Sequence, residues 1–86
     1  MRYYRYQVWH QGSCLIESEY NYEILDEAIE EAEQAALWKI EDWKKEGAYD
    51  EEYDPKGPDD FELMIYAVED ELYGDGSEYV RCVWEN

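Results

Sequence analysis

The sequence has few basic residues and no long apolar run, and each shortage excludes a class of function. Seven Lys and Arg stand against 24 Asp and Glu, which gives a formal net charge of −17. Such a chain lacks the basic surface needed to bind nucleic-acid phosphates or an anionic membrane. No apolar run approaches the roughly 20 residues of a transmembrane helix, and the opening MRYYRYQVWHQ has no signal-peptide core. We therefore expect a cytosolic protein that contacts neither nucleic acid nor membranes.

Residue patterns typical of catalysis and metal binding are also scarce. His10 is the only histidine and falls at the end of a predicted strand, where we expect a structural or surface role. Neither cysteine lies in a CxxC pattern, and no serine lies in a nucleophile elbow. The acidic segment DEEYDPKG (50–57) lacks the alternating ligands of a calcium-binding EF-hand loop. The sequence predicts no enzyme activity, no cofactor and no specific metal site.

Length and aromatic content indicate one folded α+β domain spanning residues 1–86. Aromatic residues make up 17% of the chain, which is typical of folded rather than disordered proteins. Side-chain alternation predicts strands at 3–11, 14–18, 61–69 and 78–85, with a hairpin turn at Gln11-Gly12-Ser13. The order β-β-α-β-β predicts a small antiparallel sheet of three to four strands with one long helix packed on one face. Cys14 and Cys82 fall in predicted strands, and we expect both to be reduced core residues.

The helix prediction covers residues 26–46. Asp26 is a suitable N-cap, and Gly47 is a suitable C′ residue. A single apolar stripe comprises Leu25, Ile29, Ala32, Ala36, Ile40 and Trp43. On the predicted strand at 78–85 we expect Val80, Cys82 and Trp84 to share one face. The sheet face away from the helix is unusually apolar, and the sequence leaves open whether it forms an interface. Its residues are Tyr3, Trp9, Met64, Tyr66, Val68, Tyr79 and Val83.

The acids are segregated along the chain as well as abundant. Residues 17–33 hold eight acids and no base, and residues 46–78 hold thirteen acids and only Lys56. Acids on a strand recur every ~3.3 Å, close to the ~3.4 Å spacing of phosphates along one DNA strand. Tyrosines alternate with acids in EYNYE, YDEEYD and LYGD, and a tyrosine ring stacks well on an arginine guanidinium. These patterns favour a basic protein partner over a generic solvated surface.

Trp38 is the sharper indication of a contact. Helical spacing puts it opposite the apolar stripe, among Glu31, Gln34, Glu41 and Asp42. An exposed Trp among carboxylates is unfavourable unless another surface shields it from water, and Trp is frequent at interface hot spots. Three surfaces could do so: a partner protein, the 47–60 loop, or a second copy of the chain.

A resemblance in composition rests on four features: short length, extreme acidity, acid–tyrosine loops (YDEEYD, LYGDGSEY) and the lack of catalytic motifs. The chain resembles the small acidic DNA mimics of phages and mobile elements, among them anti-CRISPR and anti-restriction proteins. The resemblance implies a stoichiometric inhibitor, monomeric or dimeric, that blocks the basic DNA- or RNA-binding groove of a nuclease, foremost a CRISPR effector.

Two other functions stay open. The chain is also similar in size and charge to barstar-like inhibitors, which implies an antitoxin or immunity protein that neutralises a basic toxin nuclease. An acidic accessory subunit without inhibitory role is the third alternative. The residues predicted to contact the partner are Asp50, Glu51, Glu52, Tyr53, Asp54, Asp59 and Asp60 in the loop, Glu69, Asp70, Glu71, Tyr73 and Asp75 around the following turn, and Glu31, Trp38 and Asp42 on the helix.

Overall fold

A computed structural model describes residues 2–70 and 78–86 of the chain. The elements follow in the order β1 (Arg2–His10), β2 (Ser13–Glu17), α1 (Leu25–Glu46), β3 (Glu62–Asp70) and β4 (Glu78–Glu85), with a 3₁₀ turn at Pro58–Asp60. The strands form one sheet in the order β2-β1-β3-β4, and every neighbouring pair is antiparallel. α1 packs on β1 and β3. The predicted α+β fold is confirmed. In the described part of the chain, no helix has the length and apolar content that a membrane crossing needs.

The hairpin between β1 and β2 turns on two residues. Gln11 and Gly12 have φ angles of 51° and 79°, and positive φ at both central residues is the type I′ geometry that matches the twist of paired strands. His10 pairs with Ser13, so Ser13 is already part of β2. The register shifts between Val8 and Trp9, where Leu15 is the extra residue of β2.

The helix ends as the sequence predicts but begins differently. Ile24, with extended backbone angles, is the N-cap and makes no side-chain cap hydrogen bond. The prediction of Asp26 as N-cap is wrong, because the Ala28 N–H already bonds to the Ile24 carbonyl at 3.2 Å. Asp26 instead lies in the first turn, where its charge still favours the positive end of the helix dipole. At the other end, Gly47 has φ 71°, and the N–H groups of Gly47 and Ala48 close the helix in a Schellman motif.

The core lies between α1 and the inward faces of β1 and β3. Its buried members are Val8, Ala28, Ala32, Ala36, Ile40, Phe61, Leu63 and Ile65. Three of the four fully buried helix positions in this cluster are alanines, and a side chain this short lets the helix approach the sheet closely. Ala28 belongs to this cluster although the predicted stripe omitted it. Leu25, Ile29 and Trp43 are half-buried at its edge.

A bulge in β4 changes which of its residues face the core. Ile65 pairs with Trp84 but Tyr66 pairs with Cys82, so Val83 is the extra residue of β4. Since an extra residue interrupts the alternation, Trp84 lies beside Ile65 on the helix side and Cys82 lies on the opposite side. The prediction that Val80, Cys82 and Trp84 share one face is therefore wrong.

Both cysteines are unbridged and exposed. The prediction that they are core residues is wrong, because each lies on an edge strand, on the sheet face away from α1. Two strands separate Cys14 from Cys82, so three strand spacings of ~4.8 Å place them at least about 14 Å apart. That separation is too large for a disulfide between them.

The sheet face away from α1 is more covered than the sequence indicates. Val68 is only 3% exposed, and Trp9, Met64 and Tyr66 are half-buried. Val83, predicted to lie on this face, packs against the core instead. The Tyr79 side chain falls outside what the structure describes.

Candidate acidic interface

The acids between Glu17 and Glu33 form a continuous surface, which we name the strand–helix acidic surface. It begins at the end of β2, follows the connection to α1, and continues along the first two turns of the helix and into the third. All of its acids are exposed: Glu17, Glu19, Glu23, Asp26, Glu27, Glu30, Glu31 and Glu33. None of the ion pairs among residues 2–70 and 78–86 involves any of them. Arg5 lies beside the connection, where its Nε donates to Asn21 Oδ1 at 2.6 Å, but it forms no ion pair with these acids in the described chain. A cationic partner would relieve their mutual repulsion.

Glu31, Trp38 and Asp42 lie along one flank of α1. Seven residues advance a helix by nearly two turns, so Trp38 lies about 10.5 Å along the axis from Glu31 and at almost the same angle. Trp38 is 62% exposed, so the 47–60 loop does not cover it and that alternative is wrong. Asp42 is held near Lys39, with 3.9 Å between Oδ2 and Nζ. The helix thus presents an uncovered indole on the flank that carries Glu31.

A depression lined by tyrosines and glutamates lies where this flank meets β1 and the connection after β2. Its volume is about 300 Å³, and its lining is Tyr6, Ile16, Glu17, Glu19, Tyr20, Tyr22 and Glu31. The half-buried residues among these, Tyr6, Ile16 and Tyr22, form its floor. Tyr20, 71% exposed, lies at the rim. We name this feature the tyrosine–glutamate depression.

Two backbone hydrogen bonds fix the floor of the depression. The Tyr4 N–H donates to the Tyr22 carbonyl at 2.7 Å, and the Tyr22 N–H donates to the Tyr4 carbonyl at 2.9 Å. This isolated bridge attaches the connection before α1 to β1. The rings of Tyr6 and Tyr22 are then 6.1 Å apart, inclined by 33°.

The tyrosines of the floor remain neutral hydrogen-bond donors over a wide pH range. Partial burial raises the pKa of Tyr6, and the nearby carboxylates of Glu31 and Glu19 raise it further. Burial and Glu31 likewise raise the pKa of Tyr22. An anion in the depression would face these carboxylates, whereas a cation would meet rings and negative charge together.

The 48–60 loop uses several of its carboxylates to hold its own backbone. The Asp50 N–H donates to Asp54 Oδ2 at 2.7 Å, and the Glu52 N–H donates to Asp50 Oδ1 at 2.9 Å. The Lys56 N–H donates to Asp60 Oδ2 at 2.9 Å. Asp50, Asp54 and Asp60 thus have a structural role that the sequence-based prediction of partner contact did not foresee.

Among the described residues, the other predicted loop side chains hold no backbone group in this way. Glu51, Glu52, Tyr53 and Asp59 are exposed, Tyr53 by 74%. Two contacts of Tyr49 hold the loop in place. The Tyr49 hydroxyl donates to the Pro55 carbonyl at 2.8 Å, and Lys44 Nζ at the end of α1 lies 5.1 Å from the Tyr49 ring centre. His10 lines a shallow groove with this loop, and its ring packs against Phe61 at 5.6 Å.

The predicted patch at the end of β3 is only partly available. Glu69 is paired with Arg2, whose Nε lies 2.6 Å from Glu69 Oε1, so its charge is already compensated. Asp70 ends β3, but its side chain lies outside the described residues. Glu71, Tyr73 and Asp75 lie outside them entirely.

The structure separates the predicted loop patch from the patch at the end of β3. The loop precedes Phe61 at the start of β3, and Asp70 is the last residue of that strand. Eight residues of strand span about 26 Å. The loop and the described part of the second patch, Glu69 and the backbone of Asp70, therefore lie at opposite ends of β3.

Sequence reasoning missed most of the tyrosine–glutamate depression. The EYNYE alternation was evident, but only Glu31 of the lining was among the predicted contacts. The signal was the combination of tyrosines and acids next to the start of a helix. Its significance depends on the bridge between Tyr4 and Tyr22, which joins residues 18 positions apart.

No known protein family, curated protein or solved structure matches this chain.

Proposed function

We propose that the protein is a non-catalytic inhibitor that occupies the basic nucleic-acid-binding groove of a nuclease, foremost a CRISPR effector. The single observation that carries this proposal is the strand–helix acidic surface, whose eight exposed acids form no ion pair among the described residues. A groove that binds duplex through Lys and Arg presents the complementary charge. Long-range attraction would make association fast and sensitive to salt.

The spacing of the acids supports mimicry of a phosphate row. On α1, acids three and four residues apart, such as Glu27, Glu30 and Glu31, rise by about 4.5–6 Å. Phosphates of duplex DNA advance ~3.4 Å along the axis per strand. The protein spacing is somewhat wider, but flexible Lys and Arg side chains of a groove accommodate a difference of this size.

Two exposed aromatic side chains on or beside the acidic surface offer apolar contact area, which charge alone does not provide. Trp38 and Tyr20 are both exposed beside carboxylates. Aromatic residues surrounded by polar groups are typical anchors of protein–protein contacts. This combination favours a protein groove as partner over small counterions.

The test is affinity capture on the immobilised protein from a bacterial lysate cleared of nucleic acid, followed by elution with duplex DNA at constant ionic strength. We expect the duplex to release a nucleic-acid-binding protein, and we expect its nuclease activity to fall when the inhibitor is added back in equimolar amount. Captured proteins that the duplex does not displace, or whose nuclease activity is unchanged, would contradict the proposal.

A matched pair of double variants locates the contact. Glu30→Lys with Glu33→Lys changes the acidic surface beyond the first helical turn, so the dipole effect at the helix start is avoided. Glu62→Lys with Glu85→Lys makes the same change of charge on the far sheet face, at exposed residues. We expect the first pair to lose capture at least tenfold and the second to retain it. Equal losses would indicate that only net charge matters.

A further inference from the structure

We propose that the tyrosine–glutamate depression is a docking site for one arginine side chain of the partner. Its chemistry is specific in a way that the rest of the acidic surface is not. Two phenol rings and an isoleucine form its floor, and Tyr20, Glu17, Glu19 and Glu31 complete its lining. The inference rests on the proposed function for its biological role, but the chemistry of the depression can be tested without any nuclease.

The size of the depression favours a side chain over a larger ligand. Its volume of about 300 Å³ lies at the lower limit of pockets that hold small molecules. Ile16 and the half-buried rings of Tyr6 and Tyr22 offer contact to a methylene stem. The exposed ring of Tyr20 is free to lie against a flat group that enters from solvent.

The charge of the depression selects a cation. Glu31 is close enough to Tyr6 and Tyr22 to raise the pKa of both, and Glu19 acts on Tyr6 as well. A phosphate or a carboxylate would therefore be repelled. An uncharged apolar side chain would desolvate the three glutamates without pairing them, which is unfavourable.

The arrangement of the glutamates distinguishes a guanidinium from a metal ion. Among the described residues, no three Asp, Glu, His or Cys side chains converge closely enough to hold a metal. Glu17, Glu19 and Glu31 therefore do not form a set of metal ligands. A guanidinium has five N–H donors pointing outward in a plane, which suits dispersed acceptors, and its faces stack on aromatic rings.

Lysine fits the same site less well. Its ammonium group is a compact, strongly hydrated charge without a flat face, so it gains less from the rings. Gln7 Nε2 donates to Glu17 Oε1 at 3.1 Å, which draws this carboxylate toward the sheet face away from α1. Glu19 and Glu31 are then the acceptors available to the directional donors of arginine.

The experiment uses three capped tripeptides that differ only in the central residue: Gly-Arg-Gly, Gly-Lys-Gly and Gly-citrulline-Gly. Citrulline has nearly the shape of arginine but no charge. Each is titrated into the ¹⁵N-labelled full-length protein at low salt, and amide shifts are followed. We expect saturable shifts confined to residues around Tyr6, Tyr20, Tyr22 and Glu31, with arginine at least fivefold tighter than lysine and at least tenfold tighter than citrulline.

Two single variants act as site and control. Glu31→Gln removes a rim charge at an exposed helix position, while Glu30→Gln removes the adjacent charge outside the depression. Tyr20→Ala truncates an exposed ring without touching the core. We expect Glu31→Gln and Tyr20→Ala to weaken the arginine peptide at least threefold and Glu30→Gln to have little effect.

The inference is overturned if citrulline and arginine bind alike, if the shifts spread evenly over all acidic segments, or if Glu30→Gln weakens binding as much as Glu31→Gln. If the arginine peptide does not bind but a nuclease is still captured, the docking site is wrong and the proposed function stands. If the peptide binds but no nuclease is captured, the docking site stands and the proposed function is wrong.

Discussion

At the scale of single residues, Trp38 is the side chain whose exposure most requires an explanation. It is 62% exposed on the helix flank that carries Glu31. Two copies meeting through this flank would bring carboxylates of the same sign together, which is unfavourable for a self-association. A basic partner meets no such repulsion, so partner contact is the alternative that the charges favour.

We therefore predict that Trp38→Ala weakens binding to the captured nuclease by about 30-fold or more, the effect of a hot-spot residue worth ~2 kcal/mol. The free energy of unfolding should stay within ~0.5 kcal/mol of the parent, because the indole packs on no core residue. Isothermal titration calorimetry and urea denaturation measure the two quantities.

Val80→Ala is the control for that prediction. Val80 is also exposed, by 54%, but it pairs with Val68 on the sheet face away from α1. Its truncation should leave nuclease affinity unchanged. If Trp38→Ala binds like the parent while Val80→Ala does not, the contact lies on the sheet and the helix flank is the wrong surface.

Residue-scale inference from the sequence identified the exposure of Trp38 but not the roles of Asp50 and Asp54. Helical periodicity is local and regular, so the position of Trp38 follows from counting. The hydrogen bonds from the Asp50 and Glu52 N–H groups depend on how the loop folds, which the residue types alone do not determine. For the same reason the pairing of Glu69 with Arg2, 67 positions apart, was not foreseen.

At the scale of elements, the helix end at Gly47 is the feature that most directly orients the acidic loop. Its φ of 71° is unfavourable for residues with a Cβ. We predict that Gly47→Ala lowers the free energy of unfolding by about 1–2 kcal/mol, measured by urea denaturation. The cause is backbone strain, since an added Cβ meets no atom within 4 Å.

Gly57→Ala is the matched control in the same loop. Gly57 has an extended φ of −164°, and an added Cβ there also meets nothing within 4 Å. Its replacement should be neutral or stabilise slightly, because alanine restricts the unfolded chain. Equal losses in the two variants would show that the loop, and not the left-handed angle, sets the cost.

The elements themselves were largely predictable, whereas their edges were not. Strand alternation and helical periodicity gave all four strands and α1 to within a few residues. The β4 bulge at Val83 placed Trp84 on the opposite sheet face from Cys82, because a single extra residue shifts the alternation of every residue beyond it. The cysteines were predicted to be core residues because sequence does not reveal which strands lie at the edge of the sheet.

At the scale of the whole molecule, the main result is how the charges are distributed. The acids of residues 17–33 gather on one surface, while Lys39, Lys44 and Lys45 accompany acids further along α1. The molecule is elongated, with extents of 51 × 22 × 20 Å. The loop patch and Glu69 lie at opposite ends of β3, so composition predicts the amount of charge but not which acids lie together.

The most direct test of the proposed function is an equilibrium competition among this protein, the captured nuclease and a fluorescently labelled duplex. The account predicts that the apparent Kd of the duplex rises linearly with inhibitor concentration, without a plateau, and that the effect weakens as salt is raised. The Glu30→Lys, Glu33→Lys variant should give a slope at least tenfold smaller. A plateau would mean that duplex and inhibitor bind together, and it would contradict the claim that the acidic surface takes the place of nucleic acid.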